Sequence, residues 1–521
     1  MILLDTTWHW ARLIKTAQTV VYIQYQRGMI MSAKLMAALM AVASLTMSVQ
    51  ASADIDLPIT EPLPVVPGTV ETRSQPFITW YLDLSVDGYV EDEYAISGSA
   101  NLYSYVDEAS GSPEVSIDTP DQPYTTRLLV RRPIDTGRFN GTVYVEVLNA
   151  TAGWDGDPIW QSTSEYLIRS GAVWVGLSTK PNTVNFLRDS WGRGIWPARN
   201  AERYATLSMP AFGQVWDMLT QVGALLKTPA ASGNPLAGYD VQRLIMVGYS
   251  QSAAYQVTYA NSFHESARMA DGRPVYDGYY VSAGGARAKH ALGPPGAVEN
   301  IPLNDARNLI DVAAPVIRFQ TQTEVVNFPS YPTRQADADY PWLRTYEMAG
   351  GSHVDSHLAV IGGQALVRDL GLPPSFCPSP AIPFNPIRIG YVQSALMQAL
   401  DRWIQTGAPP PASRFLQLDT SGASPVLARD ADGNAIGGIR PPDVRVPLGN
   451  YVEANSGPGF CGLFGGFDPF NAGVLQSRYR NHGSYVNQYQ QAVQAVVHEG
   501  FLLKADADAL RKAAAQSAVG K

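Results

Sequence analysis

Cysteine is nearly absent, with Cys377 and Cys461 the only two in 521 residues. So few exclude a scaffold held by several disulfides and a cysteine-built zinc cluster. In an oxidising compartment an isolated pair is most simply one disulfide closing a long loop in the C-terminal third; two buried thiols are the alternative. Charge is also scarce, at 16% of residues with a net charge of −8 and no basic block, so nucleic acid is not an expected partner. No internal repeat, coiled-coil heptad or low-complexity block is present. Glycine patterns of the dinucleotide-binding or phosphate-loop type are missing, and nothing in the chain requires a cofactor.

What is present suits a large globular core: 45% hydrophobic residues, with 45 glycines and 38 prolines distributed among loops. The N-terminus stands apart. Lys34 precedes an apolar run from Leu35 to Leu45, and Ala51-Ser52-Ala53 supplies small residues at cleavage positions. This predicts a secretory signal cleaved after Ala53, with translation starting at Met29 or Met31 and residues 1–28 upstream of it. The run is too short to span a bilayer comfortably, so no stable membrane span is expected once the signal is removed. A cytoplasmic tail with a membrane anchor is the rival reading. The expected product is exported, periplasmic or extracellular, with residues 54–521 as one domain.

Apolar stretches at Thr125–Arg132, Gly141–Leu148, Gly171–Leu177, Leu244–Val247, Tyr279–Ser282, Pro315–Thr321 and Leu343–Met348 read as strands. Between them, Phe212, Val215, Trp216, Leu219, Val222 and Leu226 mark one helix face, opened by Pro210. A second helix runs from Gly390 to just before Gly407. Alternating strands and helices predict an α/β fold with a mostly parallel central sheet covered on both faces. Segments 181–209, 286–312 and 325–342 exceed plain connectors and are candidate lids. Residues 410–521 form a C-terminal elaboration, with a hairpin turning near Asp432-Gly433-Asn434 and one or two surface helices from Tyr485 to Ala518. An Asp-x-Asp-Gly run in that hairpin does not fit a calcium loop, because Pro441 stands where a bidentate Glu is needed.

The chemistry centres on Gly248-Tyr249-Ser250-Gln251-Ser252, which follows the Leu244–Val247 strand directly and opens a helical pattern. A Ser at a sharp strand-to-helix turn is exposed above the sheet, and small residues two positions either side let the turn close. Ser252 replaces the more usual Gly. The nucleophile reading competes with that of a helix-capping Ser. A Ser nucleophile needs a His to take its proton and an acid to orient that His. His353, in Gly350-Gly351-Ser352-His353 after an apolar strand, is favoured over His357. Glu324, just beyond the Pro315–Thr321 strand, is favoured as the acid over Asp337, Asp339 and Asp355. The oxyanion donors are expected to be the Gln251 N–H and an amide of Ala150 or Thr151, in the loop after Gly141–Leu148. Trp154 and Trp160 are candidates for the substrate pocket. His353, Asp355 and His357 at alternate positions do not make a helix-borne metal site, so no metal is expected.

Taken together, Asn149–Pro158 with its Gly-Trp-Asp-Gly run, Gly248–Ser252, Gln322-Thr323-Glu324, Ala349–His353 and Gly437–Pro441 followed by Val444–Pro447 resemble the exported bacterial alpha/beta hydrolase domain proteins of the α/β-hydrolase superfamily. The likeness spans roughly residues 70 to 510. It implies a Ser–Glu–His site on an α/β-hydrolase core with an elaborated cap. The resulting expectation is a serine hydrolase cleaving small-molecule or polymeric carboxylic esters without a cofactor. Polyester depolymerase, acyltransferase and peptidase activities would use the same residues, and a non-catalytic binding protein could share the fold. The sequence leaves oligomeric state open.

Overall fold

The computed structural model describes residues 55–66, 74–191, 202–292, 299–373 and 375–521. The expected signal segment and start positions lie outside them. A nine-stranded sheet organises the rest, in the order β1-β2-β3-β5-β4-β6-β7-β8-β9. The strands are β1 (Ile59–Pro62), β2 (Tyr89–Tyr105), β3 (Val115–Pro133), β4 (Thr142–Val147), β5 (Val173–Leu177), β6 (Arg243–Tyr249), β7 (Gly278–Ser282), β8 (Val316–Thr321) and β9 (Leu343–Met348). From β5 across to β9 every pairing is parallel. Strands β4, β5, β7 and β8 are buried at every position, as strands covered on both faces must be.

Helices that bear on the site or its surroundings are α1 (Pro158–Ser170), α2 (Val215–Leu226), α3 (Gln251–Ser262), α4 (Gln322–Val326), α5 (Ser356–Ala365), α6 (Ile389–Thr406), α7 (His482–His498) and α8 (Lys504–Gln516); Pro181–Asn185, Pro442–Arg445 and Ala472–Arg478 are shorter helical segments. Helix α6 begins and ends as its apolar spacing predicts, and Gly407 closes it in the left-handed conformation at φ 71°. The C-terminal surface pattern resolves into α7 and α8. Near residue 430, Arg429 pairs with Ala435, Gly433 takes φ 79°, and Asp430 Oδ1 accepts from Asp432 and Asn434 N–H, so the Asp-x-Asp-Gly run is a turn.

Two expectations need correction. Pro210 does not open a helix. The Gln214 side chain accepts from Ala211 N–H, and a 3-10 turn at Phe212–Gln214 precedes α2. The sheet also carries a long antiparallel hairpin, β2 paired with β3 from Tyr89↔Pro133 to Tyr105↔Val115. Only Thr125–Arg132 reads as strand in the sequence, because β2 is half-exposed and rich in Glu, Asp and Ser and so has no apolar run. Among the described residues, no helix is long and apolar enough to cross a membrane.

Candidate active site

Strand β6 ends at Tyr249 and α3 starts at Gln251, so Ser250 carries the whole change of direction, at φ 58° and ψ −122°. A non-glycine residue with positive φ is strained, and such strain persists only where surrounding contacts over-determine it. Here Ser250 N–H donates to the Ser282 carbonyl at 2.9 Å, and the Ser250 carbonyl accepts from Ala253 N–H. Gly248 makes the fold-back possible: a Cβ there would stand 2.6 Å from the Gln256 amide and 3.1 Å from the Ser252 backbone.

His353 and Glu324 arrive from neighbouring strand ends. Helix α4 follows β8 directly, and the His loop follows β9, so the parallel pairing Thr321↔Met348 sets their carboxyl ends side by side. His353 Nδ1 lies 2.6 Å from Glu324 Oε1, with both residues buried. Glu324 Oε2 accepts from Thr321 N–H at 2.6 Å and from the Thr321 hydroxyl at 2.7 Å. The two Thr321 donors occupy Oε2 and leave Oε1 to face the His353 ring. In the tautomer that lets Nδ1–H donate to Oε1, Nε2 is the ring's acceptor. The preceding residues brace the same loop: Gln322 accepts from Gly350 N–H, and the Thr323 hydroxyl accepts from His353 N–H. Both also donate to the C-terminal elaboration, at the Tyr451 and Glu453 carbonyls.

The loop after β4 is closed on itself by paired hydrogen bonds between Asn149 and Gly156, and Asn149 Nδ2 ties it to the Tyr249 carbonyl. The Thr151 amide is committed to Asn149 Oδ1 at 2.9 Å. The Ala150 amide makes only a long contact, 3.3 Å, with the Gln251 side chain. Gln251 N–H, at the first position of α3, has no intrahelical acceptor. Asp155 and Asp157 anchor the loop to β3 through ion pairs with Arg127 and Arg131. Four residues apart, these arginines lie on one face of the strand. Their other nitrogens hold the Phe77 and Ile78 carbonyls, fixing Ile78 at φ 56°. Nothing in the sequence marks these two arginines beyond two charges inside an apolar strand.

Ser250 and His353 open on one cavity of about 190 Å³, together with Asn149, Thr151 and Trp154. Its walls are mostly apolar. Leu358, Ala359, Gly362, Gly363 and Leu366 line one side, at the spacing of a single helix face. Phe376, Phe460 and Leu463 line another. The last three flank Cys377 and Cys461, which form a disulfide. Phe376 stacks on Trp154 with ring centroids 6.2 Å apart. Trp160, expected beside Trp154, lies elsewhere: from the first turn of α1 it faces the core, its ring 4.7 Å from the Arg131 guanidinium and 5.6 Å from Trp174. Ala150 and Gln251 are not among the lining residues, nor are the described residues of the three candidate lid segments. His357 and Asp355 have other work. His357 Nε2 accepts from Arg388, and Asp355 caps α5 while also accepting from Ile389 N–H.

The central parallel sheet, the strand–Ser–helix elbow and the loops at the strand ends define an α/β-hydrolase. The chain belongs to the alpha/beta hydrolase domain family, whose sequence profile matches residues 59–512. Solved structures sharing similarity with it include three hydrolases. A putative dienelactone hydrolase from Klebsiella pneumoniae is 14% identical, with TM-score 0.25, over 49% of this chain and 85% of that one. Acetyl xylan esterase 1 from Thermoanaerobacterium sp. is 12% identical, with TM-score 0.26, over 56% and 80%. A fungal esterase from Rhizomucor miehei is 13% identical, with TM-score 0.28, over 51% and 81%. These scores are too low to carry any argument about activity. No functionally curated protein matches the sequence.

Proposed function

We propose that this hydrolase is an exported serine esterase, with Ser250 as nucleophile, His353 as general base and Glu324 as the acid that orients it. The observation that carries the reading is the Glu324–His353 contact, which leaves His353 Nε2 as a proton acceptor on the cavity that Ser250 also lines. Ser250 Oγ attacks the acyl carbon as His353 takes its proton, and the imidazolium then protonates the departing alkoxide. Water activated by His353 releases the acyl group. The Gln251 amide, at the positive end of α3, and the Ala150 amide are the oxyanion donors, since Thr151 is already committed.

The cavity supports an apolar acyl group. Its walls of leucine, phenylalanine, alanine and glycine present few polar partners to a chain seated against them. The disulfide supports export.

The test is reaction of the purified protein with a fluorophosphonate probe and with p-nitrophenyl esters, beside Ser250→Ala. Labelling and turnover should both disappear in the variant, by a factor of about 10⁴ or more in kcat. A folded wild type that neither labels nor turns over would refute the reading.

A further inference from the structure

Beneath the elbow lies a cation that the mechanism above does not use. Lys180, three residues past β5, is fully buried, as is Ser252. Its Nζ donates to the Leu148 carbonyl at 2.5 Å and to Ser252 Oγ at 3.1 Å, and Ser252 Oγ itself donates to the same carbonyl at 3.1 Å. The ammonium also sits 4.8 Å from the Tyr255 ring centroid. Among the described residues, no carboxylate lies within ion-pairing distance of it.

The two groups that Lys180 joins have separate duties. Leu148 is the last residue before the loop that bears Asn149 and Ala150. Ser252 is the second residue of α3, two past Ser250. The relative position of these two segments decides whether an oxyanion donor on one faces an acyl carbon attacked from the other. Burying an ammonium without a contacting carboxylate is unfavourable, and a side chain of similar volume such as Met would avoid that cost. Packing therefore does not account for the lysine. The arrangement also accounts for the Ser at 252, where a bare turn is satisfied by glycine: among the described residues, its hydroxyl is the only side-chain group that Lys180 touches by hydrogen bond.

We propose, on the esterase reading above, that Lys180 is a positioning residue: through Ser252 it clamps the start of the oxyanion loop to the nucleophile elbow and places a positive charge behind both. The groups that face it are Asp155 of the same loop, Glu146 of β4, the Tyr255 ring of α3 and Lys289. Among the described residues, Asp155 Oδ1 is buried without a hydrogen-bond partner. Burial brings the Lys180 ammonium down to about 7, against the opposing pull of Asp155. Its charge is therefore present below that pH and lost above it, and the support it lends the oxyanion weakens as pH rises.

The experiment compares Lys180→Met and Ser252→Ala, singly and together, with wild type in ester hydrolysis, fluorophosphonate labelling and thermal melting. Lys180→Met should lower kcat about 10- to 100-fold with little change in KM, because a misplaced donor acts on the transition state. Its melting temperature should hold or rise. Wild-type kcat should carry a component that declines as pH rises through about 7, and Lys180→Met should lack that component. Ser252→Ala should lose kcat in the same direction, and the double variant should be no worse than Lys180→Met alone. Wild-type kcat in Lys180→Met, or a loss matched by a lower folded fraction with the pH profile unmoved, overturns the proposal. If Lys180→Met does not fold, Ser252→Ala decides on the same readouts. An inert wild type refutes the esterase reading itself, whereas an active wild type with equally active variants refutes only the clamp.

Discussion

His353 Nδ1 and Glu324 Oε1 stand 2.6 Å apart although the residues are 29 positions distant, and the carboxylate's other oxygen is held by Thr321. One side chain thus both caps the helix that carries it and fixes the tautomer of the histidine. Glu324→Gln should cut kcat by roughly 10³- to 10⁴-fold, since an amide can present its NH₂ to Nδ1 and trap the wrong tautomer. KM should change little. A variant retaining more than a tenth of wild-type kcat would remove Glu324 from the site.

Phe376 closes the cavity against Trp154, so its size should set acyl preference. Phe376→Ala should move the optimum among p-nitrophenyl esters toward longer chains. Each added methylene gains or loses on the order of 1–3 kcal/mol in such a pocket. An unchanged chain-length profile of kcat/KM would place the acyl group elsewhere.

The Cys377–Cys461 disulfide closes an 84-residue separation, and its flanking residues form the same wall. Cys377→Ser with Cys461→Ser should lower stability by roughly 2–5 kcal/mol. Denaturant midpoints with and without a reducing agent check this in the wild type. The double variant should be insensitive to reductant.

Burial holds His264 and His357 down at about 4, against about 6.5 in an unfolded chain. Both fold neutral, His264 against the Tyr279 hydroxyl at 2.8 Å and His357 beneath Arg388. Between about 6.5 and 4 the unfolded chain takes up protons that the folded one does not. Their contribution is thus full above 6.5 and is lost as pH falls toward 4. Between pH 7 and pH 5, the urea midpoint of wild type should fall further than that of His264→Gln. Parallel falls would contradict the burial argument.

Much of this protein could be read from local pattern. Parallel strands buried on both faces announce themselves as short apolar runs, and a Ser between small residues at a strand–helix boundary marks the elbow, because both signals are set by neighbours in the chain. Loop context also singled out Glu324 and His353, whose side chains the structure places in contact. Tertiary structure alone decided the rest. Strand β2 is polar and visible only through its pairing with β3. Trp160 and Trp154 look alike in sequence, yet helix phase turns one to the core and leaves the other at the cavity. Among the described residues, the cavity walls come from α5 and from the disulfide-joined segments and not from the long connectors that suggested lids, since which distant segments meet is fixed by the sheet order. Lys180 carries no local signal, because its environment is assembled from Leu148, Ser252 and Tyr255, brought together only when β4, β5 and β6 align.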